Sequence, residues 1–305
     1  MNSILKRAAL VAGMAVIASA SVQAQEPFLK WYNPPQNPQP FLQHHSYNSA
    51  MMQTRVGYSI YLPPTYTEAG NMQRFPVIYW LHGRGGSEIH DQFPARIVDQ
   101  AIRERKVKPL IVVYVNGGAR SWYTDSPDGK WPAETTIIKE LIPHIDATWR
   151  TIPGRDGRAI QGMSMGGGGA LKYAFRYPEL FSSVVSFAGS LRKVEHIEGD
   201  KDRGEIFTVM YGGNREYYTS EHPFSLLEKN LDQIKGNVGI KMIIGSVDRE
   251  VLRATNLELH QKLEEKKVPH QYQVIDGIGH DLGKLAEAVQ SEALQFAEQH
   301  FKTTE

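Results

Sequence analysis

The chain has 305 residues, with 34 Lys and Arg against 33 Asp and Glu, a near balance that argues against nucleic acid as a partner. It contains no cysteine, which excludes disulfides, thiol catalysis and thiolate metal sites together. A chain of this length without disulfides must rely on one large hydrophobic core.

The first residues combine a basic start (Lys6, Arg7), an apolar run from Ala8 to Ala18 and the small-residue stretch Val22-Gln23-Ala24. That is the pattern of a secretory signal peptide over residues 1–24 cleaved before Gln25, with a cut after Ala20 as the rival site. The apolar run is too short to span a bilayer, and no other segment approaches that length. Removal of 1–24 takes away Lys6 and Arg7 and no acid, leaving a net charge of −1. Export without cysteine fits a bacterial periplasm or the surrounding medium.

Residues 25–50 are rich in Pro, Gln, Asn and aromatics (Trp31, Tyr32, Pro34, Pro35, Pro38, Pro40) and read as an extended arm or linker on the surface. Residues 51–305 read as one catalytic domain. Within it, strands are predicted at Gly57 to Leu62, Pro76 to Leu81, Leu110 to Asn116, Ala159 to Met163, Ser183 to Phe187, Ile206 to Tyr211, Lys241 to Gly245 and Gln271 to Ile275. Helices are predicted at Ala95 to Arg105, Thr135 to Trp149, Gly167 to Tyr177, Ser225 to Gln233, Arg253 to Lys266 and Lys284 to Phe301. The alternation predicts an α/β fold with a mostly parallel sheet, helices on both faces and antiparallel strands at its start. In such sheets the site lies at the carboxyl ends of the strands.

Gly162-Met163-Ser164-Met165-Gly166 follows a predicted strand and opens a helical pattern, the setting of a nucleophile elbow. The 27 glycines make a bare G-x-S-x-G common by chance, so the strand, turn and helix around it carry the argument. A serine hydroxyl needs a base and a group that orients the base. Of eleven histidines, only His280 follows a late predicted strand in a glycine-bearing loop, Gly277-Ile278-Gly279-His280-Asp281. The acid is sought between serine and histidine, just after a strand. Asp248 in Gly245-Ser246-Val247-Asp248 meets that condition, Glu250 is the runner-up, and Asp276 could shape the base's loop. The backbone N–H of Met165 and that of Arg84, in the glycine-rich Leu81-His82-Gly83-Arg84-Gly85-Gly86, are the expected oxyanion donors. Each residue also has a plainer reading: Asp248 as a helix N-cap, His280 as a loop residue, the glycines as a tight turn.

Metal and nucleotide chemistry fare poorly. His44-His45 lacks a third ligand, Asp125-Ser126-Pro127-Asp128-Gly129 lacks the closing Glu of a calcium loop, and Gly129-Lys130 runs into Trp131 rather than a phosphate-binding loop. No cofactor or metal is therefore expected. Trp122, Tyr123 and Trp131 could pack the core or wall a ring-bearing substrate, and Tyr211, Tyr217 and Tyr218 lie in a variable stretch, residues 189–235, expected to cover the pocket.

Taken together, Trp80-Leu81-His82-Gly83-Arg84-Gly85-Gly86, Glu140-Leu141-Ile142-Pro143-His144-Ile145-Asp146, Arg158 to Gly167 and Tyr177-Pro178-Glu179-Leu180-Phe181 give residues 50–302 a pattern that resembles the esterase D and feruloyl esterase group of α/β-hydrolases. That group includes carbohydrate esterase family 1 and the secreted mycolyltransferases. The resemblance implies Ser164 as nucleophile, His280 as base, Asp248 as acid, and Met165 and Arg84 as oxyanion donors. It also implies a small or polysaccharide-linked ester as substrate, with acyl transfer to a sugar or lipid, siderophore ester hydrolysis and non-catalytic carbohydrate binding as alternatives. The group often has a glycine or aromatic after its histidine, where this chain has Asp281-Leu282-Gly283-Lys284.

Overall fold

The computed structural model describes residues 29–37, 39, 41–90, 94–289 and 291–302, so the signal-peptide reading of residues 1–24 lies outside the described residues. Eight strands form one sheet in the order β1-β2-β4-β3-β5-β6-β7-β8. They are β1 (Leu42–Ser49), β2 (Thr54–Tyr61), β3 (Val77–Leu81), β4 (Ile111–Val115), β5 (Arg158–Met163), β6 (Ser183–Phe187), β7 (Gly239–Gly245) and β8 (Gln271–Ile275). The β1–β2 and β2–β4 pairings are antiparallel, and every pairing from β4 through β3 and β5 to β8 is parallel.

Strands β3 and β4 are continuous runs of apolar and aromatic residues, and β3 to β6 are buried along their whole length, because both faces of the sheet are covered there. On β3, Val77, Tyr79 and Leu81 enter one core layer while Ile78 and Trp80 enter the other, the two-residue period of a strand splitting a continuous apolar run between two cores. Helices Met165–Arg176, Gly204–Tyr211 and Pro223–Lys229 pack on the first face, and Pro94–Arg103, Leu282–Val289 and Glu292–His300 on the second. Among the described residues no helix is long and apolar enough to cross a membrane.

Three expectations are corrected. Residues 42–49, assigned to the arm, form edge strand β1; their polar, half-exposed side chains hide it, and the backbone ladder to β2 creates it. The remaining arm is not merely superficial: Leu29 and Trp31 are buried, the Trp31 carbonyl accepts from the Gly57 N–H (2.7 Å), and Asn33 bonds buried Glu88. Finally, Ile206 to Tyr211 is helical. Ile206, Phe207, Met210 and Tyr211 are buried while Thr208 is exposed, a helical stripe, and Gly212 ends the helix at φ 63°. A six-residue apolar run carries too little periodicity to separate the two states.

Candidate active site

The turn after β5 places Ser164 at φ 56°, ψ −113°, a strained conformation for a residue with a Cβ. Its neighbours explain why it is tolerated. A Cβ on Gly162 would lie 2.4 Å from the Gly166 carbonyl oxygen, and one on Gly166 would lie 2.0 Å from that of Leu81, so both glycines permit backbone contacts that any other residue would block. The Ser164 N–H donates to the Phe187 carbonyl (2.9 Å), while its own carbonyl accepts from Gly168 (3.0 Å) and Ser190 (2.7 Å). The strain is thus held from the strand, the helix and the loop after β6.

His280 Nε2 lies 2.8 Å from Ser164 Oγ, and His280 Nδ1 lies 2.9 Å from Asp248 Oδ2. The loops bearing the histidine and the aspartate are tied together. The Val247 N–H donates to the Ile278 carbonyl (3.1 Å), Ser246 N–H to Ile275 (2.8 Å), and a Cβ on Gly245 would meet the Ile278 oxygen at 1.9 Å. Asp281 accepts from the Lys284 N–H (3.0 Å) and so starts the next helix directly after His280. The Asp248 carboxylate is buried, and its other oxygen accepts from the Arg249 N–H (2.6 Å). Glu250 instead begins the helix Glu250–Glu265 as an exposed residue, and Asp276 accepts from the Ser246 hydroxyl (3.0 Å).

The loop after β3 approaches the elbow, because Gly166 packs on the Leu81 and His82 carbonyls. His82 is buried, with Nδ1 2.8 Å from the Gly83 carbonyl and Nε2 accepting from the Gly117 N–H (3.2 Å). That pair of partners fits one neutral tautomer, with the proton on Nδ1. The Gly83 carbonyl also accepts from Gly86 (3.0 Å), and the Gly85 N–H donates to Ala119 (2.7 Å). Among the described residues, neither the Arg84 nor the Met165 N–H donates to a protein acceptor.

The aromatic expectations divide. Tyr123 is fully buried, its hydroxyl donates to the His82 carbonyl (2.9 Å), and its ring packs on Gly117 and Gly169. It therefore braces the loop after β3 and is not an open wall for a substrate. Trp122 is likewise taken into the core, with an indole N–H that has no protein acceptor. Tyr217 is half-buried and donates to the Asp125 carbonyl (2.8 Å). Sequence reasoning missed the His82 ring, the Ser190 N–H and Asn256, whose buried amide donates to the Gly189 carbonyl (2.8 Å). Of these only His82, beside the glycines, had a local signal.

Against the helix Met165–Arg176, a buried cluster joins the loop after β4 to the helix Arg215–Glu221. Lys172 Nζ meets Glu134 and Glu221 at 2.7 Å each, the Thr124 hydroxyl at 2.7 Å and the Tyr123 carbonyl at 3.0 Å. Arg176 bonds the remaining oxygens of both glutamates (3.0 and 2.7 Å), and the Tyr177 hydroxyl donates to Glu134 (2.7 Å). Burial alone would raise the Glu221 carboxyl, but Lys172 and Arg176 hold it down at about 2.

The "Putative esterase" family model matches residues 49–301. Esterase Rv1288 of Mycobacterium tuberculosis is 36% identical over 160 residues, which is 50% of this chain and 34% of the relative. An endo-1,4-beta-xylanase/feruloyl esterase of Xylanibacter ruminicola is 34% identical over 170 residues, 53% of this chain and 23% of the relative. The chain thus spans about a third or less of the length of these curated relatives. Among solved structures, a ferulic acid esterase superposes with a TM-score of 0.72 at 24% identity, covering 85% of this chain and 98% of the other, which shows the α/β-hydrolase fold.

Proposed function

As a member of the esterase family, this chain carries out, we propose, the hydrolysis of carboxylic esters through an acyl-enzyme on Ser164. The observation that supports this most directly is the unbroken hydrogen-bond chain from Ser164 Oγ through His280 to Asp248. A lone pair on His280 Nε2 takes the Ser164 proton as Oγ attacks the ester carbonyl, and Asp248 holds the Nδ1–H tautomer and stabilises the imidazolium. The oxygen of the tetrahedral intermediate receives the Met165 and Arg84 N–H groups, which have no protein acceptor among the described residues. Collapse expels the alcohol with the proton from His280. Water, deprotonated by the same nitrogen, then attacks the acyl-enzyme and regenerates Ser164.

The substrate we propose is a feruloyl or acetyl ester of polysaccharide, a reading supported by the feruloyl esterase named among the relatives and the ferulic acid esterase among the structures. Residues 1–24 support export to the periplasm or medium. The test is hydrolysis of p-nitrophenyl acetate, longer acyl esters and methyl ferulate by the purified protein beside Ser164→Ala. Turnover of methyl ferulate lost in the variant is expected, and equal rates for the two proteins would remove Ser164 from the mechanism.

A further inference from the structure

We infer that the site takes an ester bearing a carboxylate, gripped by the guanidinium groups of Arg192 and Arg249 with Arg84 beside them; this rests on the esterase reading above. Each arginine is placed by a residue already in the site. Arg84 belongs to the loop after β3. Arg249 follows Asp248 and donates its N–H to that carboxylate. Arg192 lies two residues after Ser190, whose N–H holds the Ser164 carbonyl.

Arg192 is the informative member. It is only 8% exposed, its carbonyl accepts from the Tyr218 hydroxyl and from His222 Nε2, and its guanidinium has no hydrogen bond or ion pair among the described residues. Its nitrogens are nevertheless not sealed atoms, so they keep an opening to solvent. An unpaired cation in such a place is costly and calls for a partner that is absent from the chain itself. Its neighbours make matters worse rather than better. Burial, then the charges of Arg203 and Arg249, push the Arg192 guanidinium down, with Asp200 and Tyr218 opposing; burial, then Arg203, Arg120 and Arg249, do the same to Arg84, with Asp202 opposing. Two of these arginines are already engaged, Arg203 with Asp200 (2.9 Å) and Arg120 with Glu205 (2.8 Å). Arg84, Arg192 and Arg249 form no ion pair among the described residues. A planar carboxylate matches the guanidinium fork and relieves the mutual repulsion of the group.

The test uses two matched pairs that differ only in whether a remote carboxyl is free or methylated. The mono-4-nitrophenyl ester of terephthalic acid against its methyl ester places the charge on the acyl side, and 4-acetoxybenzoate against methyl 4-acetoxybenzoate places it on the alcohol side. In at least one pair the acid should have kcat/KM about tenfold or more above its methyl ester at low salt, with the advantage shrinking as ionic strength rises. Arg192→Gln and the surface variant Arg249→Gln should each bring the acid-to-ester ratio toward one, and Arg249→Gln carries the test alone if Arg192→Gln does not fold. A ratio of one or less in both pairs, or a ratio unmoved in the folded variants, overturns the inference while leaving the esterase reading standing. Calorimetric titration of Ser164→Ala with 4-hydroxybenzoate and methyl 4-hydroxybenzoate, and with terephthalate and monomethyl terephthalate, needs no turnover. Tighter binding of the more highly charged member in at least one pair supports the subsite even where hydrolysis fails, and equal binding in both pairs overturns it.

Discussion

Two charged clusters stand on elements that adjoin Ser164 or follow the strands around it, and they are built on opposite principles. The Lys172 cluster places two cations against two carboxylates, and both oxygens of Glu134 and of Glu221 are bonded. The guanidinium groups of Arg84, Arg192 and Arg249 form no ion pair among the described residues, and the charge of Arg249 acts against both Arg84 and Arg192. A network that satisfies itself contributes to a single rigid arrangement, whereas one that does not is shaped for something arriving from outside. The contrast separates the part of the site that fixes geometry from the part that selects.

That separation can be broken by experiment. The largest effect belongs to the chemistry itself: Ser164→Ala should lower kcat on the order of 10⁴-fold or more, with an unchanged melting temperature, as read by ester hydrolysis and circular dichroism. Next comes Lys172→Met, which strands Glu134 and Glu221 with Arg176 as their remaining cation. It should cost about 3–5 kcal/mol in urea unfolding, and a loss below about 1 kcal/mol would show that the cluster does not hold the fold.

Acid should act on the same region with a definite sign. Burial pushes the His222 imidazole down to about 4, and its Nδ1 accepts the Phe224 N–H, a bond only the unprotonated nitrogen can make. An unfolded histidine binds its proton near 6.5, so stability falls as pH drops from there toward 4, by up to about 3 kcal/mol. Glu221, depressed to about 2 from an ordinary 4.5, adds a second loss from about pH 4.5 downward. Urea midpoints across this range should therefore fall in two stages, and His222→Gln should flatten the upper one. The smallest effect is that of Tyr217→Phe, which removes the hydroxyl donated to Asp125 and should cost about 1 kcal/mol. A larger loss of methyl ferulate turnover than of stability would restore this ring to the substrate.

Much of this was legible in the chain because it depends on local geometry. Gly162 and Gly166 must be glycine for reasons that lie within five residues and one neighbouring strand, and the strand–turn–helix around them announces itself. Asp248 and His280 were found by their positions after β7 and β8, without knowledge of how the two loops bond. What was hidden depends on partners far along the chain. Strand β1 exists through its ladder to β2, Tyr123 is defined by the carbonyl 41 residues away that its hydroxyl meets, and the helix Gly204–Tyr211 takes its form from packing that a six-residue apolar run does not encode. Arg192 gave no signal at all, since an arginine in a loop is ordinary until its burial is known.

The bond between Ser164 and His280 spans 116 residues, and the residue that completes it lies just before the last two helices. During synthesis Ser164 therefore leaves the ribosome long before its proposed base has been made, and on the proposed mechanism a growing chain that ends short of residue 280 holds only an ordinary hydroxyl.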